Sequence, residues 1–221
     1  MFLTFDSLLN NYIHISNTRK LHKKTYKLYT VINNCNIINL VFIISDLYKL
    51  YKILFLLSKQ NSYITVINTI KLTNNKFIYY LTKFTISNCL NTKWIKGFIT
   101  NTTIIPNITV VNLFINKLYK TDSSYINSAR IKYLKKKYNF VKYLKSLNIS
   151  EFIFFLTLDN NTAALNECLM KNKFIMGVCD LNFNTNLTDL SICGNNLNHK
   201  SLNFFLKFIT IPAIKGSIKY K

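Results

Sequence analysis

Glycine, proline and acidic residues are all scarce in this chain of 221 residues, which contains 4 Gly, 2 Pro and 8 Asp or Glu. The shortage of glycine excludes the phosphate-binding loops GxGxxG and GxxxxGK[ST], which need glycines so that backbone N–H groups can approach a phosphate. No GxSxG or HExxH motif occurs, and the acids are too scattered to favour a catalytic carboxylate pair. We therefore expect no enzymatic activity, no small-molecule substrate and no cofactor.

Long apolar runs and metal-ligand patterns are also missing. The longest apolar runs, residues 37–44 and 53–57, fall far short of the ~20 residues that a transmembrane helix needs, so we expect no membrane association. The five cysteines include no CxxC pair and make no metal-ligand spacing with the three histidines, which predicts buried free thiols and no metal site. The first 15 residues have no basic region, so we expect neither a secretory nor an import signal, and a protein acting in an organelle would then be made there.

What the chain has in excess is positive charge. Its 29 Lys and Arg residues give a net charge of +21. Residues 151–221 carry seven lysines against five acids, a net charge of +2, whereas residues 1–150 carry 22 basic and three acidic residues, a net charge of +19. Such an excess predicts nucleic acid or an anionic surface as the partner. Abundant Lys, Asn and Ile with so little Gly indicate a strongly AT-biased genome, as in many organelles.

Two groups of cations are candidates for phosphate contact. The stretch TRKLHKKTYKLY, residues 18–29, contains no acid; it is either a solvated loop or a phosphate-binding segment, and we prefer the second interpretation. The lysine-rich residues 102–150 predict two helices, at about 108–119 and 125–147, that pair as a hairpin. The cations that we expect to contact phosphate are Arg19, Lys20, Lys23, Lys24, Lys27, Lys135, Lys136 and Lys137.

The order of apolar runs in the C-terminal part predicts a βαβ unit. Residues 152–157 and 174–179 are short apolar runs typical of strands buried on both faces, and a helix capped by Asn161 or Thr162 lies between them. The two strands should be parallel with a right-handed crossover. Because both strands end in an acid, Asp159 and Asp180 are expected at the same edge of the sheet.

The same alternation occurs earlier in the chain. It predicts strands at residues 36–44, 62–68 and 84–87 and helices at residues 45–60 and 69–82. The whole pattern indicates an α/β fold with a doubly wound parallel sheet, flavodoxin- or Rossmann-like, that has helices on both faces and an inserted helical hairpin. We expect residues 1–101 and 151–221 to form the sheet domain, with a basic extension over about residues 1–30, and residues 102–150 to form the insertion.

The segment KWIKGFITN, residues 93–101, keeps residues that the rest of the chain avoids. Trp94 is the only tryptophan, and Gly97 is one of the four glycines. Gly97 permits a tight turn or a close approach to a ribose-phosphate, and Lys93 and Lys96 flank it. Trp94 either anchors this loop on the sheet or stacks on a base. Both interpretations make the segment a candidate binding loop.

This segment resembles a motif of the form RWxGGxLTN in the bacterial and organellar ribosomal protein S2 family. Further matches follow in the family's order: an acid-terminated strand at residues 158–159, a helical segment at 164–168, a strand end at 180–182 and a turn at 193–196. Residues 12–15 and 36–40 also resemble N-terminal segments of the family. The likeness therefore extends over nearly the whole chain.

The resemblance implies a structural protein of the small ribosomal subunit that binds small-subunit rRNA near the junction of head and body, beside neighbouring ribosomal proteins. We expect rRNA contacts at Lys93, Trp94, Lys96, Gly97 and Asn101, as well as at the cations named above. Composition favours a mitochondrial ribosome in the matrix, with a plastid as the alternative compartment. The alternative function is a nucleotide- or RNA-processing enzyme that uses the edge at Asp159 and Asp180.

Overall fold

The computed structural model describes residues 3–16, 26–70, 76–91, 94–101, 129–138 and 150–220, together with isolated positions between residues 107 and 117. Near the N-terminus lies helix α1, Phe5–Asn10. Its N-cap Thr4 accepts a hydrogen bond from the backbone N–H of Ser7, and the Ser7 hydroxyl accepts one from the Thr4 N–H in return. This reciprocal pair is a capping box, which fixes the start of the helix.

A two-stranded antiparallel hairpin follows, formed by β1, Leu28–Ile32, and β2, Cys35–Ile38. Asn33 and Asn34 occupy its turn with φ of 47° and 63°. Two successive left-handed residues give a turn whose twist matches that of the strands, and asparagine tolerates this conformation better than most residues.

A parallel sheet forms the centre of the described part of the chain. Its strands are β3, Ile64–Ile67; β4, Asn88–Leu90; β5, Phe152–Phe155; β6, Phe174–Cys179; and β7, Leu190–Cys193. They lie in the order β4-β3-β5-β6-β7, and every neighbouring pair is parallel. β3 and β4 are buried at every position, and β5 and β6 at all but the first. Burial on both faces explains why β5 and β6 occur as continuous apolar runs.

Helices flank this sheet. The remaining described helices are α2, Leu40–Lys59; α3, Lys76–Phe84; α4, Ala129–Tyr138; α5, Thr162–Met170; and α6, His199–Tyr220. The crossover from β3 through α3 to β4 and the one from β5 through α5 to β6 advance in opposite directions across the sheet. Right-handed crossovers then put α3 and α5 on opposite faces. The doubly wound α/β prediction is confirmed, and the direction of winding changes between β3 and β5.

Helix α6 joins the C-terminal part of the chain to the N-terminal part by packing against both α2 and α3. The contact with α2 is close at Gly216, where an added Cβ would lie 2.6 Å from the Phe55 carbonyl oxygen and 2.6 Å from Ser58 Cβ. Glycine is therefore needed at this position for the two backbones to approach. The sequence patterns above did not predict α6, which also contains Pro212.

Two of the predicted strands differ in the structure. The strand predicted over residues 36–44 is wrong beyond Ile38, because Asn39 caps α2: its Oδ1 accepts a hydrogen bond from the Val41 N–H at 3.0 Å. The part that is extended belongs to the hairpin and not to the parallel sheet. The strand predicted at residues 84–87 lies later, at β4, because α3 continues to Phe84.

The domain division stays a prediction. Within residues 102–149 the described positions are 107, 110, 111, 114, 115 and 117, all helical, and α4; the rest of the expected hairpin lies outside the described residues. Of the helices in the described ranges, none has the length and apolar character needed to cross a membrane.

Candidate nucleic-acid interface

The loop at residues 94–101 is held by one buried carboxylate. Glu167, on α5, is 6% exposed and accepts three hydrogen bonds from this loop. Its Oε1 accepts from Trp94 Nε1 at 3.0 Å and from the Gly97 backbone N–H at 2.7 Å, and its Oε2 accepts from the Ile99 N–H at 3.0 Å. A carboxylate with three donors satisfies most of its lone pairs away from water. Glu167 therefore fixes the loop onto α5.

The loop itself has a turn that only glycine adopts without strain. Gly97 has φ of 83°, and the Asn101 N–H donates to its carbonyl oxygen at 2.8 Å. The Trp94 ring packs edge-on against the buried ring of Phe98, with centroids 5.4 Å apart. Since the indole N–H is also bound to Glu167, Trp94 acts as the anchor of the loop. Lys96 and Asn101 are exposed.

A cavity of about 370 Å³ opens beside this loop, at the point where the winding direction of the sheet changes. Open α/β sheets bind ligands preferentially at such a point. Its lining residues are Thr69, Ile70, Trp94, Lys96, Asn160, Asn161, Thr162, Ala163 and Ala164. None of these lining residues is acidic, and Lys96 is their one cation. The arrangement suits hydrogen bonding and charge pairing with a sugar-phosphate better than proton transfer.

Lys27, one of the predicted phosphate contacts, lies inside the protein. It is 9% exposed, and its Nζ lies 2.9 Å from Oδ2 of the buried Asp46. Burial by itself would lower the Lys27 pKa, but the hydrogen bond from its ammonium group to Asp46 and the surrounding negative groups leave the pKa above its usual value. Its charge is thus used to pair Asp46, and we remove Lys27 from the proposed interface.

The other predicted cations are only partly described. Arg19, Lys20, Lys23, Lys24 and Lys93 lie outside the described residues. Lys135, Lys136 and Lys137 belong to α4, whose backbone is described at these positions and whose side chains there are not. All eight stay predictions.

At the sheet edge, the carboxylates of Asp159 and Asp180 accept hydrogen bonds from other groups of the protein. Asp159 Oδ2 accepts from the Asp180 N–H at 3.0 Å and from the Asn196 side-chain amide, and Asp180 Oδ1 accepts from the Ser16 hydroxyl. Burial raises the pKa of Asp159, an effect that the neighbouring charge of Asp180 reinforces and the hydrogen bonds oppose. The predicted proximity of the two acids is confirmed, and both carboxylates tie strand ends to neighbouring loops.

Sequence reasoning identified Glu167 only as part of a family-like segment and did not connect it to KWIKGFITN. The signal was present, because Glu167 is the one acid in a helix whose other buried positions are apolar, and a buried acid needs donors from elsewhere. Nothing in the local sequence, however, specifies donors about 70 residues away.

Two comparisons bear on this geometry. The family model described as Ribosomal protein S2 matches residues 8–216, which includes the loop, Glu167 and both edge acids. The Small ribosomal subunit protein uS2c of Guillardia theta is 25% identical over 140 residues. That alignment covers 59% of this chain and 58% of the relative, so it spans somewhat more than half of the relative's length.

Proposed function

The chain belongs to the ribosomal protein S2 family, and from this premise we propose that it is a structural component of the small subunit of an organellar ribosome, where it binds small-subunit rRNA. The observation that supports this most directly is the Glu167 clamp. Glu167 joins two of the segments that carry the family resemblance, residues 93–101 and 164–168, and leaves Lys96 and Asn101 exposed on a loop held in place. A preorganised loop of this kind loses little entropy on binding.

We propose an electrostatic mechanism. The net charge of +19 in residues 1–150 provides lysines that displace counterions from rRNA phosphates, while the loop at residues 94–101 fixes the register. The proposed contacts are Arg19, Lys20, Lys23, Lys24, Lys93, Lys96, Asn101, Lys135, Lys136 and Lys137. Trp94 and Gly97 support this surface by setting the shape of the loop.

We propose a structural role and not a catalytic one. Asp159 and Asp180, the acids on which the enzyme alternative depends, are used as acceptors for the backbone of a strand end, an amide and a hydroxyl. This geometry supports an edge that holds loops together.

The finer assignments follow from the family resemblance and from composition. We propose binding near the junction of head and body, beside neighbouring ribosomal proteins, with residues 102–150 as an inserted basic hairpin. The AT-biased composition supports a mitochondrial ribosome, and a plastid ribosome is the second candidate.

Sedimentation of a tagged full-length chain from organelle lysate tests the proposal. At low salt the chain should co-migrate with the small subunit, and raising the salt should strip it, because a protein with roughly 6–10 phosphate contacts loses about 10³–10⁵ in affinity between 50 and 200 mM salt. Parallel gradients from mitochondria and plastids identify the compartment. A chain that stays at the top of the low-salt gradient, or that follows membranes, would contradict the proposal.

A further inference from the structure

The exposed face of α3 carries three aromatic rings where charged and polar side chains are usual. Its exposed positions follow helical spacing i, i+3, i+4, i+7 and i+8, and they are Lys76, Tyr79, Tyr80, Lys83 and Phe84. Tyr79, Tyr80 and Phe84 are 49%, 42% and 55% exposed, while the opposite side of α3 is buried. Three neighbouring exposed rings on one helix face, edged by cations, make this face a candidate interaction surface.

The rings and one lysine form a connected group, which we call the aromatic stripe of α3: Tyr79, Tyr80, Lys83 and Phe84. The Tyr80 centroid lies 5.9 Å from that of Tyr79 and 6.2 Å from that of Phe84. Lys83 Nζ lies 5.4 Å from the Tyr79 centroid and 5.6 Å from the Phe84 centroid, within cation–π range of both. Lys83 therefore places a positive charge among the rings.

The charge around the stripe favours a polyanion as the occupant. Neither α3 nor α6, which packs against it, contains an acidic residue, whereas both contain lysines. A protein partner that covered the rings would have to bring its own acids to meet Lys83. RNA supplies both complements at once, since its bases stack on aromatic rings and its phosphates pair with lysine.

We propose that the aromatic stripe of α3 binds unpaired nucleotides of RNA, with bases stacked on the rings and a phosphate paired with Lys83. This inference rests on the proposed rRNA-binding function and adds a second contact surface, on an element distinct from the loop at residues 94–101. The two surfaces differ in kind: the loop presents Lys96 and uses its tryptophan internally, whereas α3 presents its rings outward.

A base-deletion comparison tests this inference. Binding of the full-length chain is measured by fluorescence anisotropy with a 12-nucleotide oligoadenylate RNA and with an abasic ribose-phosphate oligomer of the same length. The wild type should prefer the oligomer with bases. The variant Tyr79→Leu/Phe84→Leu keeps good helix formers and should lose roughly fivefold or more in affinity for oligoadenylate, with almost no loss for the abasic oligomer.

Two further variants complete the test. Lys83→Ala should weaken binding of both oligomers and reduce the salt dependence, because it removes a charge. Met170→Ala changes a side chain that is 67% exposed on α5, across the sheet, and should change neither affinity. Affinity for oligoadenylate within twofold of the wild type in the double-leucine variant would overturn the inference.

The other outcomes separate this inference from the proposed function. If the double-leucine variant binds both oligomers normally but leaves the ribosomal particle, the stripe belongs to a neighbouring protein and the RNA inference is wrong. A wild-type chain that binds neither oligomer would overturn this inference alone, because the proposed function is tested by sedimentation with the small subunit.

Discussion

The acidic residues of the C-terminal half and the lysines of the N-terminal half differ in where they lie and what they contact. In residues 150–220, the carboxylates of Asp159, Glu167, Asp180 and Asp189 all accept hydrogen bonds from within the protein. In residues 26–101, by contrast, the described lysines are exposed with one exception, Lys27. These four acids of the C-terminal half thus hold loops and strand ends in place, and the exposed lysines of residues 26–101 lie at the surface, where an external polyanion can reach them.

The contrast has a physical basis. A buried carboxylate is tolerated only when several donors replace its water, and backbone N–H groups at loops and strand ends are such donors. A lysine has three rotating donors on a flexible stem, which keep their hydration best at the surface. Lys27 is buried, and its ammonium group is paired there with the carboxylate of Asp46, which replaces its hydration.

Removal of the Glu167 carboxylate should lower the stability of the protein more than any other substitution described below. Glu167→Ala leaves the N–H groups of Trp94, Gly97 and Ile99 without their acceptor, and we expect it to lower the free energy of unfolding by about 3 kcal/mol. Urea denaturation followed by Trp94 fluorescence measures both the stability and the anchoring of the loop. Asn166→Ala, at the exposed neighbouring position, should cost much less; a loss below about 1 kcal/mol for Glu167→Ala would contradict the clamp.

The junction between the halves should be the next most sensitive point. In an exposed helix Gly→Ala stabilises by about 1 kcal/mol, but at Gly216 the added Cβ meets the backbone of α2. We therefore expect the opposite sign for Gly216→Ala, a destabilisation of about 2 kcal/mol from overpacking. Thermal unfolding checks this, with Lys215→Ala at the adjacent exposed position as the control. A stabilised Gly216→Ala variant would show that α6 does not pack closely on α2.

Removal of Lys27, the buried lysine of the N-terminal half, should lower the free energy of unfolding less than the two substitutions above. Among the described residues, Lys27→Met leaves Asp46 with Lys49 as its one cationic partner, whose Nζ is 3.5 Å from Oδ1, and we expect a loss of about 1–2 kcal/mol at neutral pH. Because the folded-state pKa of Lys27 is raised, its contribution is complete below its ordinary pKa and declines as pH rises through the folded value. Unfolding free energies of wild type and variant should therefore converge at strongly alkaline pH.

The matched control for Lys27 is the double variant Lys27→Met/Asp46→Leu, which removes both charges and should recover most of the stability. If the single and double variants are equally unstable, packing of the lysine stem matters more than the ion pair. A difference between wild type and Lys27→Met that persists unchanged at alkaline pH would exclude a contribution from the lysine charge.

The smallest effect is expected at an exposed cation of the interface loop. Lys96→Ala should leave stability unchanged, weaken binding to small-subunit rRNA by a few-fold and reduce the slope of log K against log salt by about 1. Filter binding over a salt series measures this. Lys171→Ala, at the exposed C-cap of α5 in the C-terminal half, should leave the slope as it is. An equal change in both variants would remove the distinction between the halves.

Prediction from sequence succeeded where a pattern is local. The strands at β5 and β6 were found because both faces of each are covered, so that nearly every residue is apolar, and their parallel pairing placed Asp159 and Asp180 together. The strand predicted over residues 36–44 failed because a run of β-branched residues is equally compatible with a buried helix once Asn39 supplies the cap. Helix α6 was missed, and Pro212 within it is a local signal against a helix.

At the candidate site, too, local features could be predicted from the sequence and long-range contacts could not. KWIKGFITN was recognised as a loop with special residues, since a rare glycine and tryptophan stand out in a biased composition. That Trp94 points to Glu167 and that Lys27 points to Asp46 depends on which elements pack together. A basic stretch such as residues 18–29 has the same local pattern whether one of its lysines is at the surface or beneath it.

The amino-acid sequence by itself determined the parallel α/β core, the family and the positive charge of the chain. Each of these depends on local patterns, such as apolar runs and the number of lysines, that do not require knowledge of which elements pack together. Only the tertiary structure decided which charges face outward. Whether a charged side chain is buried depends on partners that the fold brings from distant parts of the chain, as Glu167 receives its donors from residues 94–99 and α3 keeps its aromatic rings in solvent.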